Sequence, residues 1–130
     1  MRPKILTVDD AKAVRLLAEQ GLSAFDCEVG EATNGFNALF AMEKSLPDLI
    51  LLDTNMPVMG GLDLLRMMKA NPALQSLPII MLTSRTDHDI MAEITAHGVN
   101  GVLLKPFTVA ELLEKIYGVI TLKPAKSGQA

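Results

Sequence analysis

LILLDTNMPVMGG, residues 49–61, sets four aliphatic side chains in a row, stops them on an aspartate at position 53, and continues into a loop of Met, Pro and Gly. An apolar run of this length without alternation is the pattern of a strand buried on both faces, the kind that fills parallel sheets. A carboxylate at its end puts charge where burial stops. The question is what the rest of the chain brings to that point.

Outward from this run lie others of the same kind: KILTV (4–8), LPIIML (77–82) and GVLL (101–104), with a weaker CEVGEA (27–32); with DLILL (48–52) they predict five strands. Between them the apolar spacing is helical. Val14, Leu17, Ala18, Gly21 and Leu22 make one stripe, and Phe36, Leu39 and Phe40 begin a second. Leu62, Leu65 and Met68 mark a third, Ile90, Met91 and Ile94 a fourth, and Leu112, Leu113, Ile116 and Ile120 a fifth. Thr108 and Glu111 have the spacing of a capping box, with Phe107 and Leu112 placed as its hydrophobic staple. Thr86 and Asp89 predict a looser start for the fourth helix, and Asn71-Pro72 closes the third.

Strands alternating with helices imply a three-layer α/β sandwich, a five-stranded parallel sheet with helices on both faces and right-handed crossovers. The 130 residues suit one domain, over residues 1–122, and LKPAKSGQA lacks periodicity, so residues 123–130 are expected to be a flexible tail. A formal net charge of −3 with no basic cluster disfavours direct nucleic-acid binding. Cys27 is the only cysteine, which excludes an intrachain disulfide and fits a reducing, cytoplasmic setting. No apolar run is long enough to span a bilayer.

In a parallel sheet the carboxyl ends of the strands share one edge, where ligands bind. Every strong strand here is followed by polar groups: Asp9-Asp10, Asp53, Thr83-Ser84 and Lys105-Pro106. Three carboxylates gathered at one edge repel by about 4 kcal/mol per pair at 4 Å and an effective dielectric near 20. An all-oxygen cluster of this kind suits a hard divalent ion such as Mg²⁺. With Lys105 and the metal balancing charge and the Thr83 hydroxyl donating, the edge suits a phosphoryl group, and Asp53 is the expected nucleophile.

Together these residues resemble response-regulator receiver domains, with a length like that of stand-alone, CheY-like members. The resemblance runs from about residue 3 to 121 and rests on Val8-Asp9-Asp10, Asp53-Thr-Asn-Met56-Pro57-Val-Met59-Gly-Gly61, Thr83 and Lys105-Pro106-Phe107. It implies the strand order 2-1-3-4-5. It also implies that Asp53 accepts phosphoryl from the phosphohistidine of a sensor histidine kinase or a histidine phosphotransfer protein. Asp9, Asp10, Asp53 and the Asn55 backbone carbonyl would bind Mg²⁺, and Lys105 would bridge to the phosphoryl group. Thr83 would then move toward that group, altering the face of helix 4, strand 5 and helix 5 for a downstream protein. Pro57 and Gly61 are expected to shape the loop, Lys105-Pro106 to be cis, and the activity to be that of a phosphoacceptor with Mg-dependent transfer and autodephosphorylation rather than an enzyme. One position departs from the family: the aromatic residue usual three before the lysine is Val102, which leaves half of the usual switch missing.

Taken singly, each group has a plainer reading: Asp9-Asp10 as a helix cap, Asp53 as a turn residue, Lys105 as a surface lysine, Thr83-Ser84 as a strand terminator. Their joint placement favours the functional one. Two alternatives stay open, a receiver-like adaptor that is not phosphorylated and an aspartyl-phosphate phosphatase, although the latter usually has a second Asp where this chain has Asn55. Neither phosphate-binding glycine motif occurs, so nucleotide binding has no support.

Overall fold

Asp53 is the last residue of its strand rather than the first of the loop. The computed structural model describes residues 2–125, and its elements alternate as the apolar runs predict. They are β1 Lys4–Val8, α1 Lys12–Leu22, β2 Glu28–Ala32, α2 Gly35–Lys44, β3 Leu49–Asp53, α3 Gly61–Lys69, β4 Ile79–Thr83, α4 Met91–Ala96, β5 Gly101–Leu104 and α5 Val109–Tyr117. A 3-10 segment, Arg85–Ile90, leads into α4.

All strand pairs are parallel, in the order β2-β1-β3-β4-β5. Central strands β3 and β4 are buried along their whole length, as their unbroken aliphatic sequences require. Edge strands β2 and β5 are only partly covered, with Glu28, Glu31 and Leu104 exposed. Alternate strand residues feed two cores. Leu6, Val8, Ile50, Leu52, Ile79 and Met81 pack on one face under α2, α3 and α4. Ile5, Leu49, Leu51, Ile80 and Leu82 pack on the other under α1 and α5.

Two local expectations are corrected. Of the stripe predicted for α2, Leu39 packs partly buried against the core, but Phe36 and Phe40 are 53% and 66% exposed, and the buried side is Gly35, Ala38 and Met42. The cause is proximity. A Cβ on Gly35 would lie 2.5 Å from the Met59 sulfur, so the helix approaches too closely for large side chains in its first turns. The start of the fourth helical segment also differs. Ser84, not Thr86, is the cap, and it forms a reciprocal box with Asp87. The other expected box does form, with Thr108 and Glu111 exchanging both bonds at the start of α5.

Of the segment expected to be a tail, Lys123–Ala125 run against Ala24–Asp26: Asp26 N donates to Lys123 O at 2.7 Å and Ala125 N to Ala24 O at 3.0 Å. Residues 126–130 lie outside the described residues. No helix among the described residues is long and apolar enough to cross a membrane.

The exposure of Phe40 against the burial of Met42 on α2 is open to measurement by urea denaturation. Phe40→Ser is expected to change stability by no more than about 0.5 kcal/mol, whereas Met42→Ala is expected to cost roughly 2–5 kcal/mol.

Candidate functional site

The parallel register brings the ends of β1, β3, β4 and β5 to one edge of the sheet. Asp9 follows β1 directly, is fully buried, and continues the β1–β2 pairing through its amide to Ala32 O at 3.0 Å. Its Oδ1 accepts from Ala11 N at 2.8 Å, which fixes the carboxylate, and its carbonyl accepts from Arg15 Nη1 at 2.8 Å. Asp10 is exposed beside it. Asp53, 4% exposed, reaches the same point from β3. One carboxylate oxygen from each of Asp9, Asp10 and Asp53 lies within 4.8 Å of the others.

Lys105 enters from the end of β5, where its amide donates to Thr83 O at 2.7 Å and its bond to Pro106 is cis. Its ammonium lies 2.7 Å from Asp9 Oδ2 and donates to Asp53 Oδ1 at 2.9 Å. A single cation thus spans two strands' carboxylates. Asp53 Oδ1 also takes a long bond from Asn55 N at 3.4 Å, which leaves Oδ2 with no protein donor among the described residues. Thr83 ends β4, is 3% exposed, and lies one strand over from Asp53. Val102 sits in mid-β5 opposite Met81 and packs against the α2, α3 and α4 core, so no ring occupies that position.

The loop after Asp53 is shaped by residues that few others could replace. Gly61 N donates to Thr54 O at 3.0 Å, and a Cβ on Gly61 would collide with the Asp53 carbonyl. Met59 is buried over Gly35, whose amide donates to Met59 O at 3.0 Å. Between them Met59 N closes a three-residue turn on Pro57 O at 2.9 Å, with Val58 at φ +71° and 80% exposed. A β-branched residue in the left-handed region is strained by about 1–3 kcal/mol.

Two site residues were not anticipated. Asp87, 5% exposed, accepts from Thr54 Oγ1 and Asn55 Nδ2 at 2.6 Å each, from Ser84 N at 2.7 Å and from Ser84 Oγ at 3.2 Å. Thr54 and Asp87 therefore join the loop after β3 to the loop after β4. The Ser84-x-x-Asp87 spacing was a readable signal, but Thr86-x-x-Asp89 competes with it in the same stretch. Arg85 is exposed.

Charge at the edge follows from burial. Desolvation pushes the Asp53 carboxyl up to about 6, opposed by the Lys105 bond and reinforced by Asp9. Burial works against the Lys105 charge, but its close contacts with the carboxylates of Asp9 and Asp53 outweigh that and hold its pKa above the ordinary lysine range. Burial would raise Asp87, yet the donors from Thr54, Ser84 and Asn55 hold it below the usual carboxylate range.

The donor set fits a divalent cation. It is all oxygen, and Asp9 Oδ2 is buried with only the Lys105 ammonium, at ion-pair distance, beside it among the described residues. This cluster can hold a metal ion.

A doubly covered parallel sheet of this strand order, with acids and one lysine on its carboxyl edge, defines a receiver-type domain. Its backbone superposes on chemotaxis response regulator CheY4 of Vibrio cholerae with a TM-score of 0.84 at 33% identity, over 92% of this chain and 100% of that one. Residues 5–117 match the family described as response regulator receiver domain, and the chain belongs to that family. It is 39% identical over 118 residues to the chemotaxis protein CheY of Pseudomonas aeruginosa, covering 87% of this chain and 92% of that protein. It is also 33% identical to the phosphate regulon transcriptional regulatory protein PhoB of Rhizobium meliloti, but spans only 53% of its length. The chain is thus a two-component receiver, and its signalling class is that of the response regulators.

Two expected outcomes follow from the site. In metal-free protein the Asp53 carboxyl is expected to titrate near pH 6 by carbon-13 NMR, and a divalent cation is expected to lower that midpoint by favouring the charged form. Because the folded pKa is raised, the Asp53 contribution to stability is full below about pH 4 and is lost as pH rises through 6. The loss is about 3 kcal/mol, and it is expected to be absent from the pH–stability curve of Asp53→Asn. Separately, Val58→Gly is expected to stabilise the fold by about 1 kcal/mol in chemical denaturation, net of lost side-chain burial that is small at this exposure.

Proposed function

We propose that Asp53 is the phosphoacceptor of this receiver, taking its phosphoryl group from the phosphohistidine of a sensor histidine kinase or a histidine phosphotransfer protein. The observation that carries the reading is the ammonium of Lys105 held between Asp9 and Asp53, with Asp53 Oδ2 left without a donor among the described residues. Lys105 neutralises the edge and is in reach of an oxygen of an incoming phosphoryl group. Asp53 Oδ2 attacks phosphorus as the P–N bond to the imidazole breaks; the bonding pair returns to the ring nitrogen, which takes a proton from solvent. Mg²⁺, held by Asp9, Asp10, Asp53 and the Asn55 carbonyl, would supply charge neutralisation for the phosphoryl oxygens.

In this reading Thr83 donates to the attached group, and the surface of α4, β5 and α5 changes for a downstream protein. The phosphoryl group is lost again by hydrolysis at the same site. A cytoplasmic setting fits the buried free thiol of Cys27, whose pKa burial raises, keeping it in the inert protonated form. Direct nucleic-acid contact and membrane insertion form no part of the proposal.

Incubation with Mg²⁺ and acetyl phosphate, read by intact mass, tests it. Wild type is expected to gain one phosphoryl group and Asp53→Asn none. Lys105→Met is expected to lower the labelling rate by at least about tenfold through loss of the one ammonium at the edge. Labelling that persists in Asp53→Asn would move the acceptor elsewhere. An unlabelled wild type would favour the adaptor reading, and turnover of many unrelated phosphate esters would favour a phosphatase.

A further inference from the structure

The carboxylate of Asp87 is saturated by donors from two loops that flank the phosphoacceptor. From the loop after β3 come Thr54 Oγ1 and Asn55 Nδ2, the two residues directly following Asp53. From the loop after β4 come Ser84 N and Ser84 Oγ, the residue directly following Thr83. Thr54 and Ser84 bind the same oxygen, Oδ2, at 2.6 and 2.7 Å. A helix cap needs only the Ser84 half of this arrangement.

Thr83 is therefore pinned on both sides. Before it, Leu82 O accepts from Thr54 N at 3.1 Å; after it, Ser84 N is held by Asp87; and its own carbonyl accepts from Lys105 N at 2.7 Å. A displacement of Thr83 toward a group on Asp53 pulls Ser84 with it. Either the Ser84 bonds to Asp87 break, or Asp87 follows and its bonds to Thr54 and Asn55 break instead. Asp87 lies within Arg85–Ile90, the segment that runs straight into α4, so the second course moves the start of that helix.

We propose that Asp87 is a positioning residue that straps the phosphoacceptor loop to the Thr83 loop, holds Thr83 back in the unphosphorylated protein, and passes its movement to α4. This rests on the reading of Asp53 as phosphoacceptor. It gives the chain a hydrogen-bonded link between site and helix at a place where Val102 supplies no ring. The strap belongs to the resting state, so cutting it removes a bias against the switched state, and a ligand selective for that state then binds more tightly.

The test uses the full chain with Mg²⁺ and beryllium fluoride as phosphoryl mimic, followed by amide shifts of Thr83, Ser84 and residues 91–96. Thr54→Val removes one donor to Asp87 but leaves the Ser84–Asp87 cap intact, so a mere capping role is untouched by it. It is expected to raise the apparent affinity for the mimic by about tenfold, the differential worth of one bond to a charged acceptor, and Thr54→Ser is expected to restore the wild-type value. Asp87→Asn is expected to shift affinity in the same direction and to reduce the mimic-induced shifts in α4. Wild-type affinity and wild-type α4 shifts in Thr54→Val would overturn the strap and leave Asp87 a cap. Failure of the wild type to bind the mimic is a different result: it overturns the phosphoacceptor reading and this inference with it.

Discussion

Lys105 reaches from the end of β5 past β4 to the carboxylates of both β3 and β1, and the geometry of the whole edge depends on that reach. Three acids converge there, and unlike a surface ion pair this one is made in partial burial, where each Coulomb contact is worth several times its value in water. One ammonium cannot neutralise three carboxylates. Burial, reinforced by the Asp9 charge, pushes the Asp53 carboxyl up to about 6 against the opposing bond from Lys105. A buried carboxylate whose charge is only partly compensated is an apt place for a divalent cation and a phosphoryl group to meet.

Nothing in the edge would be stable without the two-sided core beneath it. Because β3 and β4 are sealed on both faces, their ends are rigid platforms, and Asp53 and Thr83 inherit fixed positions from residues that have no chemistry of their own. The loop between β3 and α3 is less self-sufficient. Its left-handed turn at Val58 is imposed from outside by Met59 seated over Gly35, so the first turn of α2 helps set the shape of the site.

The sheet and the acidic edge were legible in the sequence because both depend on short-range signals: unbroken aliphatic runs for the central strands, and the residue type that follows each run. The family resemblance supplied the strand order, which the runs alone did not. What escaped depends on distance in space. Hydrophobicity put Phe36 and Phe40 on the inner face of α2, but the start of the helix sits against Met59 of the loop after β3, and the buried side is Gly35, Ala38 and Met42. Two overlapping Ser/Thr-x-x-Asp spacings offered a start for the next helical segment. The choice between them is made by Thr54 and Asn55, residues 33 and 32 positions away from Asp87, which no local pattern records.

The borders of the sheet constrain how other molecules meet this one. Along β2 the exposed residues are Glu28 on one face and Glu31, paired with Arg15, on the other, and β5 is only four residues long. A foreign strand trying to extend the sheet would meet negative charge on one border and too little backbone on the other. Recognition is thereby diverted from main-chain annealing to helices and loops, surfaces whose side chains can differ between sister proteins while the hydrogen-bonded scaffold stays the same.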